Sequence, residues 1–224
     1  TYDIASALPV TAGVSIAGGF GGAFDLASRD VVDTPTVWNV LANQKAIEYG
    51  DQLDNSLPVV VDGVRITGNG VGNIGLDTDA TDPCDLELRG VVITDMQDRG
   101  LRLRNSLDPG FDVLVTNSQS SRNGADGLSG SGAFDYVVYN SSFGANFQEG
   151  LDLDGLVPET GGTATLDVSS SQFFLNRDEG LDCTLRTPPL PSTGFFSVRI
   201  RGCSFERNGL SGCLVDADFE GAMS

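Results

Sequence analysis

The sequence contains no histidine and a single lysine, Lys45, among its 224 residues. Without histidine it can hold no imidazole base, no Ser-His-Asp arrangement and no His-ligated zinc. Its four cysteines, Cys84, Cys183, Cys203 and Cys213, show no Cys-x-x-Cys spacing. That argues against a zinc ribbon and favours disulfides in an oxidising compartment. No apolar run is long enough to cross a bilayer, so no membrane insertion of this segment is expected. Positive charge is scarce: 13 Lys+Arg face 31 Asp+Glu, a formal net charge of −18. So acidic a body repels nucleic acid and anionic lipid, and nucleic acid is not an expected partner. Glycine is plentiful, at 29 residues, and 40% of the chain is hydrophobic, enough to bury a core.

The glycines are ordered. Six segments align on the glycine before an apolar residue: VGNIGLDTD at Gly75, MQDRGLRLR at Gly100, NGADGLSGS at Gly127, NFQEGLDLD at Gly150, NRDEGLDCT at Gly180 and NGLSGCLVD at Gly212. The intervals are 25, 27, 23, 30 and 32 residues. In four segments an asparagine stands four residues before the glycine: Asn123, Asn146, Asn176 and Asn208. Upstream of each glycine lie short runs rich in Val, Ile and Phe that tend to alternate with period two, as strands do. A period of this length without helical segments predicts an all-β solenoid coil of three strands per turn, in which equivalent residues stack about 4.8 Å apart. The asparagines are then expected to form a side-chain amide ladder at a corner whose left-handed backbone they tolerate. The glycines are expected to supply a positive φ at a second corner. Phe143, Phe173 and Phe205 share one frame position, and Phe111 and Phe134 another; both sets read as internal stacks. Asp85, Asp112 and Asp135 share a third, which reads as turn capping.

The frame SxFxxNxxxGLxL resembles the repeat of right-handed parallel β-helix proteins of the pectin-lyase-like superfamily. The N-terminal run LPVTAGVSIAGGF, followed by TPTVWNV and VVVDGVRITGNG, resembles the entry coils of secreted members of the polymorphic outer-membrane type. The resemblance implies a right-handed parallel β-helix of about six recognisable coils plus N-terminal entry coils. Residues 1–58 would form the cap and entry coils, 59–216 the regular coils and 217–224 a tail, of a chain that can be longer than this segment. It also implies an extracellular or cell-surface location.

Within the coils Leu151 and Leu153 should point inward, and Asp152 and Asp154 outward. One position before the column glycines stand Ile74, Arg99, Asp126, Glu149, Glu179 and Ser211; two positions after them stand Asp77, Arg102, Ser129, Asp152, Asp182 and Leu214. Glu149, Asp152, Glu179 and Asp182 therefore form a carboxylate cluster, with Asp126, Asp154 and Asp178 close by. Three readings follow. A solvated acidic face is the plainest and ranks first. A calcium site is the second, with those four residues as ligands, because hard oxygen donors suit that ion. A pair of catalytic carboxylates for glycoside hydrolysis is the third. Arg99, Arg102 and Arg104 could meet a uronate, but read better as ion-pair partners of Asp126, Glu149 and Asp77.

Cys203 aligns with Ser141 and Ser171, and Cys213 with Leu151 and Leu181. Both should face inward on the last coil, and Cys183 one coil earlier, so Cys203–Cys213 or Cys183–Cys213 is the expected bridge. Coil lengths differ mainly after the GLxL frame, at 77–83, 104–110, 129–133, 154–162 and 184–194. Insertions at one place in a coil project from one edge and suit a shallow recognition rim. The expected function is a non-catalytic scaffold or adhesion module that contacts polysaccharide or neighbouring protein subunits, with no catalytic residue and no obligatory cofactor. The alternative is a polysaccharide lyase or glycoside hydrolase working through Glu149, Asp152, Glu179 and Asp182.

Overall fold

The computed structural model of the chain describes residues 1–10, 13–19, 35–49, 57–80, 85–105, 111–132, 134–156, 162–186 and 194–218. Its strands form three sheets of eight, eight and seven members, visited in rotation so that consecutive strands lie in different sheets. Every pair is parallel, with a residue meeting its equivalent one repeat later, as in Leu101↔Leu128 and Leu151↔Leu181. The first sheet runs from Tyr2–Ile4 to Ser204–Glu206, the second from Leu8–Val10 to Cys213–Asp218, and the third from Ser15–Ala17 to Phe195–Arg201. The described residues contain no helix. The fold is an all-β parallel solenoid, and its early strands join the same sheets as the later ones.

Period-two alternation sets the core. Leu86 and Leu88, Val113 and Val115, Tyr136 and Val138, and Leu166 and Val168 turn inward on successive rungs of the third sheet. Leu101 and Leu103, Leu151 and Leu153, and Leu181 and Cys183 do so on the second. These side chains belong to one apolar cluster extending from Val10 to Leu185. Phe143, Phe173 and Phe205 stack as expected, with ring centroids 5.4 Å and 5.0 Å apart and interplanar angles of 11° and 9°. Phe111 and Phe134 are register partners.

The asparagine ladder is present. Asn123 Nδ2 donates to Asn146 Oδ1, Asn146 Nδ2 to Asn176 Oδ1 and Asn176 Nδ2 to Asn208 Oδ1, each at 3.0 Å. Each Oδ1 also accepts the backbone N–H of the previous asparagine, at 3.1–3.2 Å. A parallel ladder of hydroxyls runs beside it: Ser118 Oγ accepts from Val91 N–H, Ser141 Oγ from Ser118 N–H and Ser171 Oγ from Ser141 N–H.

Two expectations about backbone need correction. Asn123, Asn146, Asn176 and Asn208 do not carry the left-handed conformation. The residue before each does: Arg122, Ala145, Leu175 and Arg207 have φ of 57°, 57°, 57° and 56°. The corner is held by the amide side chain, so the strained position next to it accepts an ordinary residue. Nor do Gly75, Gly100, Gly127, Gly150, Gly180 and Gly212 lie among the glycines of positive φ. They are required by proximity. A Cβ on Gly127 would lie 2.5 Å from Gly150 O, and one on Gly150 would lie 2.5 Å from Gly180 O.

The expected disulfide is also corrected. Cys183, Cys203 and Cys213 are free thiols. Register explains this for Cys183 and Cys213: Cys213 pairs with Leu181, while Cys183 pairs with Val215. The two thiols are thus diagonal across rungs, with Cα atoms on the order of 8 Å apart, beyond disulfide reach. Cys203 stands at the frame position of Ser171 instead, its Sγ donating to Val168 O at 3.6 Å and Arg201 O at 3.5 Å. Cys84 and most of the insertions lie outside the described residues.

Candidate functional site

The outer face of the second sheet carries the acids. Its register reads Asp77↔Arg102, Arg102↔Ser129, Ser129↔Asp152, Asp152↔Asp182 and Asp182↔Leu214, the expected column. The neighbouring column follows from the glycine amides. Gly100 N–H donates to Asp126 O, Gly127 N–H to Glu149 O, Gly150 N–H to Glu179 O and Gly180 N–H to Ser211 O, at 3.0–3.1 Å.

Charge is balanced at one end of this face and not at the other. Asp77 is 1% exposed and accepts both Nε and Nη2 of Arg102 at 2.7 Å, with Lys45 Nζ at 2.6 Å. Burial alone would push the Asp77 carboxyl up, but the hydrogen bonds from Arg102 and Lys45 outweigh it and hold the group below its ordinary value. One column over, Asp126 is also 1% exposed, and its Oδ2 accepts Arg99 Nε at 2.7 Å. Arg99 and Arg102 are therefore ion-pair partners of Asp126 and Asp77. Beyond Ser129 the two columns continue as Glu149, Asp152, Glu179 and Asp182 without a cation among them.

Asp126, Glu149 and Asp152 each place one carboxylate oxygen within 4.8 Å of the others'. The structure thus joins two of the expected site residues to Asp126, which the spacing had placed only nearby. Glu179 and Asp182 stand one rung on, outside that group. Ser129 Oγ donates to Asp152 Oδ2 at 3.3 Å. Asp126 Oδ1 and Asp182 Oδ1 are buried with no hydrogen-bond partner among the described residues.

No family model, curated protein or solved structure matches the chain.

The chemistry of the face therefore has to be read from its own residues. Burial pushes the Glu149 carboxyl up to about 8, aided by the Asp126 carboxylate beside it. Burial likewise pushes Asp152 up to about 7, with the charges of Asp126, Asp154 and Asp182 adding to it. Glu179 and Asp182 are raised as well, by burial first and then by their acidic neighbours. These groups bind protons more tightly in the folded chain than in the unfolded one. The stability they contribute is fully present below about pH 4, the unfolded range, and is lost as pH rises through 7 to 8. Asp77 and Asp95 act oppositely: their carboxyls are held low, so their contribution is present above the ordinary carboxylate range and is lost in acid.

The cluster is only partly the layer of solvated charge expected: Glu149, Asp152 and Asp182 are half-buried and Glu179 is 9% exposed, beside the buried Asp126. Side chains one strand spacing apart shield each other from water. Sequence offered one signal for the buried member: Asp126 directly precedes a column glycine and follows Arg99 in that column.

The third sheet carries a second feature. An open groove of ≈ 320 Å³ crosses its outer face, lined in part by Asp85, Glu87, Asp112, Leu114, Val137 and Thr165. Two of its acids serve the backbone. Asp85 Oδ1 accepts Asp112 N–H at 3.0 Å, and Asp135 Oδ1 accepts Thr165 N–H at 2.6 Å. The turn-capping expectation for this column is corrected: both bonds run to the strand of the next rung, 27 and 30 residues on, and tie rungs together rather than closing a turn.

Proposed function

We propose that this chain is a non-catalytic β-solenoid scaffold or adhesion module, extracellular or at a cell surface, that contacts polysaccharide or neighbouring protein subunits. The observation that carries this reading is the groove on the third sheet. It is open, crosses successive rungs, and has an apolar floor at Leu114 and Val137 between acidic side chains. That form suits an extended chain laid along the solenoid. Its acids Asp85 and Asp135 are engaged with backbone N–H groups, which disfavours them as proton carriers. The lack of histidine and the resemblance to secreted pectin-lyase-like β-helices add support.

A second reading has its own observation. Glu149, held protonated at neutral pH, is a candidate general acid, with Asp152 beside it. It makes the acidic face the site of a glycoside hydrolase or polysaccharide lyase. One screen separates the two readings: uronate and neutral polysaccharides, with and without calcium, scored for both retention and turnover. The scaffold reading expects retention of some polymers without turnover. Turnover that disappears in Asp152→Asn would replace it with the second reading.

A further inference from the structure

We propose that the recess beside Phe147, at the asparagine corner, binds a sugar ring bearing a carboxylate or sulfate, as one unit of an acidic polysaccharide. The site lies in the column one residue past the ladder, where Gln97, Gly124, Phe147 and Arg177 hold equivalent places on successive rungs. Backbone bonds fix that order: Gly124 N–H donates to Met96 O at 3.0 Å, Phe147 N–H to Asn123 O at 3.0 Å and Arg177 N–H to Asn146 O at 3.1 Å. Arg177 lies over one face of the Phe147 ring, its Cζ 4.3 Å from the centroid. The opposite face points back to the rung of Gly124, which has no side chain to cover it, and Phe147 is 56% exposed. An open recess of ≈ 400 Å³ lies there, lined in part by Gln97, Arg122, Gly124, Phe147 and Arg177. The corner itself keeps the gap open, since a Cβ on Gly124 would lie 2.1 Å from Gln97 O.

A single exposed phenylalanine needs no ligand to explain it. Here one face is held by a guanidinium and the other opens on a recess with polar walls, and the lining selects what fits. Gln97 stands two rungs before Phe147, about 9–10 Å away at strand spacing, which leaves room for one flat ring between the two side chains. The C–H face of a pyranose packs on the negative face of an aromatic ring. The Gln97 amide both donates to and accepts from sugar hydroxyls. Charge sets the class of sugar. Arg122 is neutralised by Asp95, to which its Nε and Nη2 donate at 2.8 and 2.7 Å. Arg177 is exposed, and its side chain forms no ion pair among the described residues. The ring beneath it steadies the guanidinium, whose donors remain open to the paired oxygens of a carboxylate or sulfate. The inference rests on the polysaccharide partner of the scaffold reading, but places it on a different surface from the third-sheet groove.

The experiment is an amide NMR titration of the full chain, at low salt, with galactose trisaccharides in uronate, sulfated and neutral forms. The uronate or the sulfated form is expected to shift the amides of Gln97, Gly124 and Phe147, and comparison of the two names the anion. Phe147→Ala and Arg177→Gln should each weaken binding by about tenfold. Both side chains are exposed, so the fold is expected to survive either change. Arg177→Gln should also remove most of the salt dependence of binding. Arg199→Gln, an exposed position on the third sheet, should leave binding unchanged. The proposal is overturned if none of the three sugars shifts these amides, or if the neutral form binds as tightly as the charged ones. Binding that survives Phe147→Ala and is lost in Val137→Ser belongs to the third-sheet groove; it overturns this inference and leaves the scaffold reading in place. Shifts caused by an acidic, tyrosine-containing peptide and by none of the sugars would make the recess a protein contact, and would equally overturn it.

Discussion

Gly150→Ala is expected to destabilise the chain by about 3 kcal/mol or more, at the upper end for overpacking. A methyl at this position would stand 2.5 Å from Gly180 O, 2.8 Å from Asn176 Nδ2 and 3.1 Å from Phe143 Cβ. None of these neighbours can swing away. The carbonyl is bonded to Leu151 N–H at 3.1 Å, the amide is part of the ladder, and Phe143 is stacked on Phe173. The rungs must separate, and the strain passes to both. Gly90 gives the contrast. Its φ is 58°, and a Cβ there would meet nothing within 4 Å. Gly90→Ala should therefore cost only ~1–2 kcal/mol, the left-handed backbone penalty. Denaturant midpoints of the two variants measure the difference. Equal losses would mean that backbone conformation at the corner, and not a close contact between rungs, requires the glycine column.

Asn146→Ala should be the other severe change, at about 3–5 kcal/mol if two or more buried groups lose their partners. Its Oδ1 accepts from Asn123 N–H at 3.2 Å and from Asn123 Nδ2 at 3.0 Å, while its Nδ2 donates to Asn176 Oδ1 at 3.0 Å and Ser120 O at 3.4 Å. All three asparagines are buried, so water cannot replace these bonds without entering the corner. Asn208 lies at the end of the ladder and is half-exposed. Asn208→Ala strips the bonds to Asn176 N–H and Asn176 Nδ2 but opens the gap to solvent, and about 1–2 kcal/mol is expected. Equilibrium unfolding of both variants tests the order. A smaller loss for Asn146→Ala than for Asn208→Ala would contradict a ladder whose interior is dry.

The columns were legible in the sequence because a solenoid gives equivalent residues the same surroundings on every rung. Spacing alone therefore paired Asp152 with Asp182 and aligned Cys203 with Ser171. Conformation at the corners was less legible. Asparagine's tolerance of left-handed backbone suggested the wrong residue, since Leu175 and Arg207 hold that conformation where the neighbouring amide ties the corner. Burial of the acids was the least legible. A column read in one dimension shows which charges are neighbours, but not that Asp126 is covered and Asp154 is open. That difference arises from side chains of adjacent rungs lying over one another. It turns a surface charge into a candidate site.

The acidic face holds its charge under constraint rather than spreading it into water. The most direct measurement is a carbon-detected NMR titration of the side-chain carboxyls, in calcium-free buffer, with Glu149 assigned through Glu149→Gln. Glu149 and Asp152 interact, so the steps belong to the pair. The Glu149 signal is expected to titrate well above the ordinary carboxylate range, toward about 8, with Asp152 at about 7. Melting temperature should fall over the same interval as pH rises. A Glu149 signal that titrates near 4.5, the value of an unperturbed side chain, would contradict it and return the face to plain solvated charge.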